Sequence, residues 1–112
     1  MNGASTEPVV DRVDGEHRYA ITVDGRRAGF TAYRDQGDRR VFFHTEIDDA
    51  YAGRGLAAHL VERALTDVRD SGMRVVPVCP YVAKFLERHG EFADIADPVT
   101  PEILQWLETA IA

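Results

Sequence analysis

The segment Gly53-Arg54-Gly55 has the composition and position of a loop that could bind a phosphate group. The extended apolar run before it, residues 41–47, predicts a strand, and the pattern after it predicts a helix. The apolar positions of that helix share one face: Leu56, Leu60, Val61, Ala64, Leu65 and Val68. A strand, a glycine loop and a helix in this order direct backbone N–H groups and the positive end of the helix dipole at one spot, which suits an anion. The alternative is a helix start that merely contains glycines.

Three other side chains are candidates for proton transfer or nucleophilic chemistry, namely His44, Glu46 and the only cysteine, Cys79. Strand alternation predicts that His44 and Glu46 share one face with Phe42, opposite Phe43, Thr45 and Ile47. Cys79 is predicted to end the fifth strand, and its thiol could serve as a nucleophile or an acid. The alternatives are a solvated strand face for His44 and Glu46, and a small buried apolar side chain for Cys79.

The elements that must position these residues follow from the pattern of strands, turns and helices. Four strands, predicted at residues 9–13, 19–23, 27–33 and 40–47, form an antiparallel meander with Asp24-Gly25 as a strong hairpin signal. After a helix at residues 54–70, the fifth strand (73–79) is expected to pair parallel to the fourth. Two more helices follow, at residues 81–89 and after Thr100. The expected fold is therefore α/β (α+β): a mixed sheet, an antiparallel meander followed by a parallel β-α-β crossover, with about three helices.

Length and composition indicate a globular protein and exclude several other classes. The 112 residues, 45% hydrophobic and 29% charged, predict one domain over residues 1–112 with residues 1–8 as a frayed terminus. The net charge is -6 and no basic tail or patch is visible, so nucleic acid is not the expected partner. With no signal peptide and no apolar run long enough to cross a bilayer, we expect no membrane partner and a cytoplasmic location.

Two further expectations concern metals and oligomers. His44, Glu46, Cys79 and His89 come from separate elements with no short ligand-pair spacing apart from the alternation of His44 and Glu46, so no metal site is predicted. The last helix has a wide apolar face that is expected to pack on the sheet, or to form a dimer face if exposed, which leaves a monomer or a homodimer. That face consists of Ile103, Leu104, Trp106, Leu107 and Ile111.

Taken together, these features resemble the GCN5-related N-acetyltransferase (GNAT) superfamily. The resemblance rests on three segments: Gly53-Arg54-Gly55-Leu56-Ala57 after a strand, residues 76–82 with the sequence VPVCPYV, and residues 85–89 with FLERH. It extends over about residues 19–91. Within the superfamily, the chain is most similar to the small acetyltransferase-like proteins that begin directly with strands and lack the usual N-terminal helices.

This resemblance implies a GNAT-like fold that binds acetyl-CoA as co-substrate, without a metal, and transfers the acetyl group to a small-molecule or protein amine. The loop at residues 51–58 would hold the pyrophosphate, and the strand at residues 42–47 would line the pantetheine arm where two central parallel strands splay apart. The implied cofactor-binding residues are Ile47, Tyr51, Gly53, Arg54, Gly55, Leu56, Ala57 and Ala58.

The resemblance also suggests catalytic roles. His44 or Glu46 would take the amine proton, directly or through water. Cys79 would protonate the departing CoA thiolate or carry the acetyl group as a covalent intermediate. Tyr81 would be a substitute acid or a partner of the CoA sulfur; its alternative is an aromatic cap over the core.

Two departures from the superfamily pattern support a rival interpretation. Ala52 stands where many members have Gln or Arg, and Phe85 or Leu86 stands where many have a tyrosine acid. The usual mechanism therefore cannot be transferred whole. The rival is a CoA- or acyl-CoA-binding module with little or no catalytic activity, and a third possibility, a structural partner without cofactor, is disfavoured by the glycine loop.

Overall fold

Five strands form one mixed sheet in the computed structural model, which describes residues 7–112. The strands are β1 (Val9–Val13), β2 (Arg18–Val23), β3 (Arg26–Gln36), β4 (Arg39–Ile47) and β5 (Arg74–Pro77), in that spatial order. The first four pair antiparallel, and β4 and β5 pair parallel. The predicted mixed sheet with its parallel crossover is confirmed. Of the predicted frayed terminus, residues 1–6 lie outside the described range.

Local sequence explains the hairpin between β2 and β3. Asp24 and Gly25 both have positive φ angles, 52° and 79°. A two-residue turn with positive φ at both positions has the twist that antiparallel strands require, and Asp-Gly is one of the few pairs that tolerate it. The predicted turn is therefore present at the predicted residues.

Helix α1 (Leu56–Asp70) connects β4 to β5 and buries one face against the sheet. All six of its predicted apolar positions are buried. The helix begins at Leu56 rather than at Arg54, because Gly53 and Gly55 adopt φ angles of 80° and 72°, outside the helical range. After its last turn, Gly72 has a φ of 72°, which lets the N–H of Met73 donate to the carbonyl of Val68 at 3.0 Å.

The other two helices lie on opposite faces of the sheet. Helix α2 (Pro80–Arg88) packs Val82 and Phe85 into the same core as α1. Helix α3 (Pro101–Ala110) packs Ile103 and Leu107 against the other face, with Trp106 partly buried there. The prediction that the whole apolar face of the last helix packs on the sheet is wrong for Leu104 and Ile111, which are 43% and 44% exposed. The reason is that a straight helix contacts a sheet only along a narrow stripe of its surface.

Strand β5 is shorter than predicted, and Cys79 lies beyond it. Pro77 has no N–H to donate, and Val78 turns its own N–H to the carbonyl of Val76 at 3.2 Å. The regular ladder therefore stops at Pro77, and Cys79 precedes α2 as its N-cap residue. This correction moves Cys79 from the strand to the junction between strand and helix.

A buried polar network ties the second half of α1 to the sheet. The Tyr19 hydroxyl donates to Asp67 of α1 at 2.5 Å and accepts from the Arg40 guanidinium at 2.7 Å. Arg40 is 6% exposed and forms a bidentate pair with Asp35, at 2.8 and 2.9 Å. Burial and the hydrogen bond to Asp67 raise the pKa of Tyr19 far above its usual range, so the hydroxyl remains a donor at all moderate pH values.

Substitution of Tyr19 by phenylalanine is expected to lower the free energy of unfolding by about 1.5–3 kcal/mol, the usual contribution of a hydrogen bond to a charged group. Urea unfolding of the two proteins would measure the difference. Tyr51→Phe is the matched control, because no hydrogen bond of the Tyr51 hydroxyl is present within residues 7–112. Equal destabilisation by the two substitutions would contradict a stabilising role for the network.

Candidate functional site

Strands β4 and β5 pair over only four positions and then separate. The pairs run from Arg39 opposite Arg74 to Phe42 opposite Pro77. One more bond follows, from the N–H of Cys79 to the carbonyl of Phe42 at 2.8 Å. Beyond it, residues 43–47 of β4 have β3 on one side and, within residues 7–112, no paired strand on the other. The result is a gap that opens toward the end of β4.

Backbone groups of β4 line this gap. The N–H of Asp48 donates to the carbonyl of Ala28 in β3 at 2.8 Å. Because backbone groups alternate in direction along an antiparallel pair, those of Glu46 and His44 also point toward β3. The N–H and C=O of Thr45 therefore point into the gap, where an extended ligand with amide groups can form hydrogen bonds.

A β-bulge at Phe43 changes which side chains share a face of β4. The register passes from Phe42 opposite Tyr33 to His44 opposite Ala32, so Phe43 has no opposite residue of its own. An extra residue shifts the alternation by one position. The predictions that Phe42 shares a face with His44 and Glu46, and that Phe43 shares one with Thr45 and Ile47, are therefore wrong. Phe42 packs in the core beneath α1, and Phe43 packs on the α3 side. His44 and Glu46 point to the face opposite to Phe42.

His44 and Glu46 form a hydrogen-bonded pair on that open face. The Nε2 atom of His44 lies 2.6 Å from a carboxylate oxygen of Glu46, and both side chains are more than half exposed. The His44 ring also lies near the Phe30 ring of β3, with 5.9 Å between centroids. An imidazole paired with a carboxylate can take a proton from a bound amine and hold the resulting charge.

Cys79 lies on the other side of the gap, at the end of a chain of hydroxyl groups. Its Sγ is 3.4 Å from the Oγ1 of Thr45, which is 2.9 Å from the Oγ1 of Thr31. Cys79 is 4% exposed, and Thr31 is fully buried. Sequence reasoning placed Thr45 on the correct face but missed both threonines as candidate functional residues. Thr31 lies 14 positions before Thr45, and Thr45 lies 34 positions before Cys79, so no local motif connects the three.

Tyr81 lies apart from these groups. It is 40% exposed in the first turn of α2 and lines a small cavity between α1 and α2 with Ala58, Lys84 and Arg88. Tyr81 therefore shares this cavity with Ala58, a residue of the predicted cofactor loop. Phe85, one of the two residues at the position of the usual tyrosine acid, is buried and stacks on the His89 ring at 3.9 Å.

The glycine loop exposes several backbone N–H groups at the start of α1. The first bond of the helix runs from the N–H of His59 to the carbonyl of Gly55 at 3.2 Å. The N–H groups of Leu56, Ala57 and Ala58 therefore precede the first intrahelical donor. A Cβ atom built on Gly53 or Gly55 would meet no atom within 4 Å, so the space before the loop is open.

The remaining predicted cofactor-binding residues anchor this loop or border it. Leu56 is buried, and Ile47 and Tyr51 are partly buried against the core under α1. The Arg54 guanidinium lies over the Tyr51 ring, 5.3 Å from its centroid. The loop therefore has apolar anchors at both ends and an exposed, positively polarised centre.

The described part of the chain offers neither a metal-binding cluster nor a membrane-spanning helix. No three His, Cys, Asp or Glu side chains among residues 7–112 lie close enough together to hold a metal ion. Over the same residues, no helix has the length and apolar character needed to cross a bilayer.

Sequence comparisons give one family and several partial relatives. A family model described as GCN5-related N-acetyl-transferase matches residues 18–95. Protein NATD1 from Bos taurus is 44% identical over 46 residues, which are 41% of this chain and 41% of the bovine protein. Protein NATD1 from Danio rerio is 29% identical over 79 residues, which are 70% of this chain and 64% of that protein. The matched part thus spans less than two thirds of these relatives.

Structural comparisons give the same fold. The solution structure of a GCN5-like protein from Staphylococcus aureus superimposes with a TM-score of 0.62 at 17% identity, covering 83% of this chain and 91% of the other. The crystal structure of YhbS from Escherichia coli in complex with CoA has a TM-score of 0.50 at 26% identity and covers 57% of this chain and 41% of that one.

Proposed function

Since this chain belongs to the GCN5-related N-acetyltransferase family, we propose that it transfers the acetyl group of acetyl-CoA to an amine. The observation that carries the proposal is the gap between β4 and β5, which has the glycine loop at its mouth and proton-accepting and thiol groups on its two sides. Each part of the reaction can be assigned to one part of this arrangement.

The glycine loop would bind the pyrophosphate of CoA. Its free N–H groups and the positive end of the α1 dipole favour an anion, and Gly53 and Gly55, both with positive φ, leave the space beside the loop open. The carbonyl of Thr45 would accept a hydrogen bond from a pantetheine amide in the gap, which leaves the N–H of Thr45 free. Support comes from the YhbS structure, a protein described as a complex with CoA.

The pair of His44 and Glu46 would act as general base. The amine must lose a proton to attack the carbonyl carbon of the thioester, and this pair lies on the side of β4 that is open to an incoming acceptor. The negative charge that develops on the carbonyl oxygen would need a hydrogen-bond donor, and the inward-pointing N–H of Thr45 is available for it.

Cys79 would serve the leaving group. When the tetrahedral intermediate collapses, the carbon–sulfur bond breaks and the CoA thiolate needs a proton. The Cys79 thiol, on the face opposite to the base, can supply it and regain it from solvent through Thr45. The same thiol could instead accept the acetyl group and pass it to the amine. Tyr81 is the alternative acid, on the α2 side of the cofactor.

The rival function is binding of CoA or an acyl-CoA without turnover. It is favoured by one observation: the helix position that often carries a tyrosine acid holds the buried Phe85 or the partly buried Leu86. A binding module would retain the glycine loop and the gap. It would not need the pair of His44 and Glu46.

Incubation of the protein with acetyl-CoA and a panel of primary amines is the test. We expect release of free CoA, detected by a thiol reagent, that depends on the amine and is matched by an acetylated product. Intact-protein mass spectrometry without an amine would show an added acetyl group on Cys79 if the covalent route operates. Tight binding of acetyl-CoA with no product from any amine would favour the binding module.

A further inference from the structure

An open cavity of about 460 Å³ lies where β3 begins and β4 ends. Its lining residues include Phe30, Glu46, Asp48 and Asp49. Phe30 is the aromatic ring that His44 approaches, so the cavity is continuous with the proposed base. A molecule in this cavity would contact Glu46, the carboxylate of the proposed base pair.

The charges around the cavity are predominantly negative. Glu46 is paired with His44, whereas Asp48 and Asp49 have no basic side chain within ion-pair distance among residues 7–112. Arg27 also lines the cavity, but its guanidinium is bound to Glu16 at 2.8 Å. The Arg18 guanidinium covers the Phe30 ring at 3.8 Å and lies 3.9 Å from the same Glu16 carboxylate. The cavity lining therefore keeps two uncompensated carboxylates, those of Asp48 and Asp49.

We propose that this cavity is the acceptor site and that it selects an amine carrying a second positive charge. This inference rests on the proposed acetyl transfer, because it assigns Glu46 and His44 to the reacting nitrogen. That nitrogen must be neutral when it attacks the thioester, so it cannot form an ion pair with Asp48 or Asp49. Asp48 and Asp49 are matched instead by a second ammonium group, which stays charged throughout the reaction.

Strand geometry sets the distance between the two nitrogens. Glu46 is the last but one residue of β4 and Asp48 follows the strand directly; an extended chain advances by about 3.4 Å per residue, so their Cα atoms are about 7 Å apart. A short aliphatic diamine spans this distance, with its methylene chain beside Phe30. Cadaverine is a suitable probe, and n-pentylamine has the same carbon chain without the second charge.

The ratio of kcat/KM for cadaverine to that for n-pentylamine measures this selectivity. We expect a preference of about tenfold for the diamine in the parent protein, as two partly exposed charge pairs can provide, and a weaker preference at high salt. The Asp48→Asn/Asp49→Asn double variant should bring the ratio down to about two, the value that the two equivalent amino groups of cadaverine give without selectivity. In that variant the side-chain amide at position 48 keeps an oxygen that can accept from the N–H of Ala50, as Asp48 does at 3.2 Å. Asp11→Asn, which removes a charge from β1, is the control and should keep the preference.

Two readouts separate failure of this inference from failure of the proposed function. If the ratio in the parent does not exceed the statistical value of about two, the two-charge inference is overturned and acetyl transfer stands. If neither amine reacts, acetyl transfer fails for both, and NMR titration with cadaverine still decides the binding site. Amide shifts at Phe30, Asp48 and Asp49 that vanish in the double variant would support it, and their absence would overturn it. A higher kcat/KM for a lysine–arginine peptide than for cadaverine would support selection of a second positive charge and would identify the acceptor as a polypeptide.

Discussion

Substitution of Cys79 by alanine is expected to lower the rate of acetyl transfer about 100-fold, the usual size of a lost acid–base contribution. The affinity for CoA should change little, because the glycine loop that would hold the pyrophosphate belongs to a different segment. Steady-state kinetics with a reactive amine, together with calorimetric titration of CoA, would measure both quantities. A large fall in kcat with unchanged CoA affinity is the expected pattern.

The hydroxyl groups of Thr45 and Thr31 beside Cys79 provide a second test of this prediction. The Thr31 hydroxyl is fully buried and has Thr45 as its side-chain partner, so donation from Thr31 to Thr45 leaves the Thr45 hydrogen free to point at Sγ. In that arrangement both hydroxyl hydrogens have an acceptor, and the sulfur receives a donor. Thr45→Val should therefore also slow the reaction, and Thr45→Ser should restore part of the rate.

A purely structural cysteine would give a different result. Cys79 is buried, so its replacement by alanine could instead lower the melting temperature and leave turnover per folded molecule near normal. Cys79→Ser separates the two possibilities further, because a hydroxyl is a poor acid and a weak nucleophile without a base. Near-normal turnover in both variants would remove Cys79 from the mechanism.

Substitution of Gly55 by aspartate is expected to weaken CoA binding by ~100-fold or more, because it would put a negative charge within a few ångströms of the pyrophosphate. The folded protein has room for the new side chain, since a Cβ at Gly55 would meet nothing within 4 Å. The loss should therefore come from the ligand and not from a steric clash inside the protein. Calorimetric titration with CoA measures it.

Two controls separate charge from backbone strain in that experiment. Gly55→Asn introduces a side chain of the same shape without the charge, and asparagine tolerates the positive φ of 72° better than most residues. Gly37→Asp makes the same change in the turn between β3 and β4, at a φ of 60° and again with open space around it. If Gly55→Asp binds CoA as tightly as the parent, this loop is not the phosphate site.

The order of elements and the pairing of strands could be predicted because the responsible signals are local. Asp24 and Gly25 specify a hairpin turn by their own backbone preferences, and the helical spacing of Leu56, Leu60 and Leu65 specifies the buried face of α1. Gly72 likewise ends that helix. In each case, a few neighbouring residues carry the information, so no knowledge of the tertiary structure is needed.

The arrangement of the site could be predicted only in part, because a single extra residue in β4 changes it. Alternation correctly put His44 and Glu46 together, and it failed for Phe42 because nothing in the sequence marks Phe43 as a bulge. The contact of Thr45 with Cys79 depends on how β4 and β5 diverge, which involves residues far apart in sequence. The exposed Leu104 and Ile111 are a similar case, because the sequence shows a helix face but not the width of its contact.

The bulge at Phe43 also divides β4 into two parts that can evolve under different constraints. Before it, Arg40 and Phe42 pack beneath α1 and Val41 packs beneath α3, so substitutions there would disturb one core or the other. After it, His44 and Glu46 are exposed, while Thr45 between them contacts the buried Cys79. Descendants of this chain could therefore exchange the two exposed residues and acquire new acceptors while the scaffold remains intact.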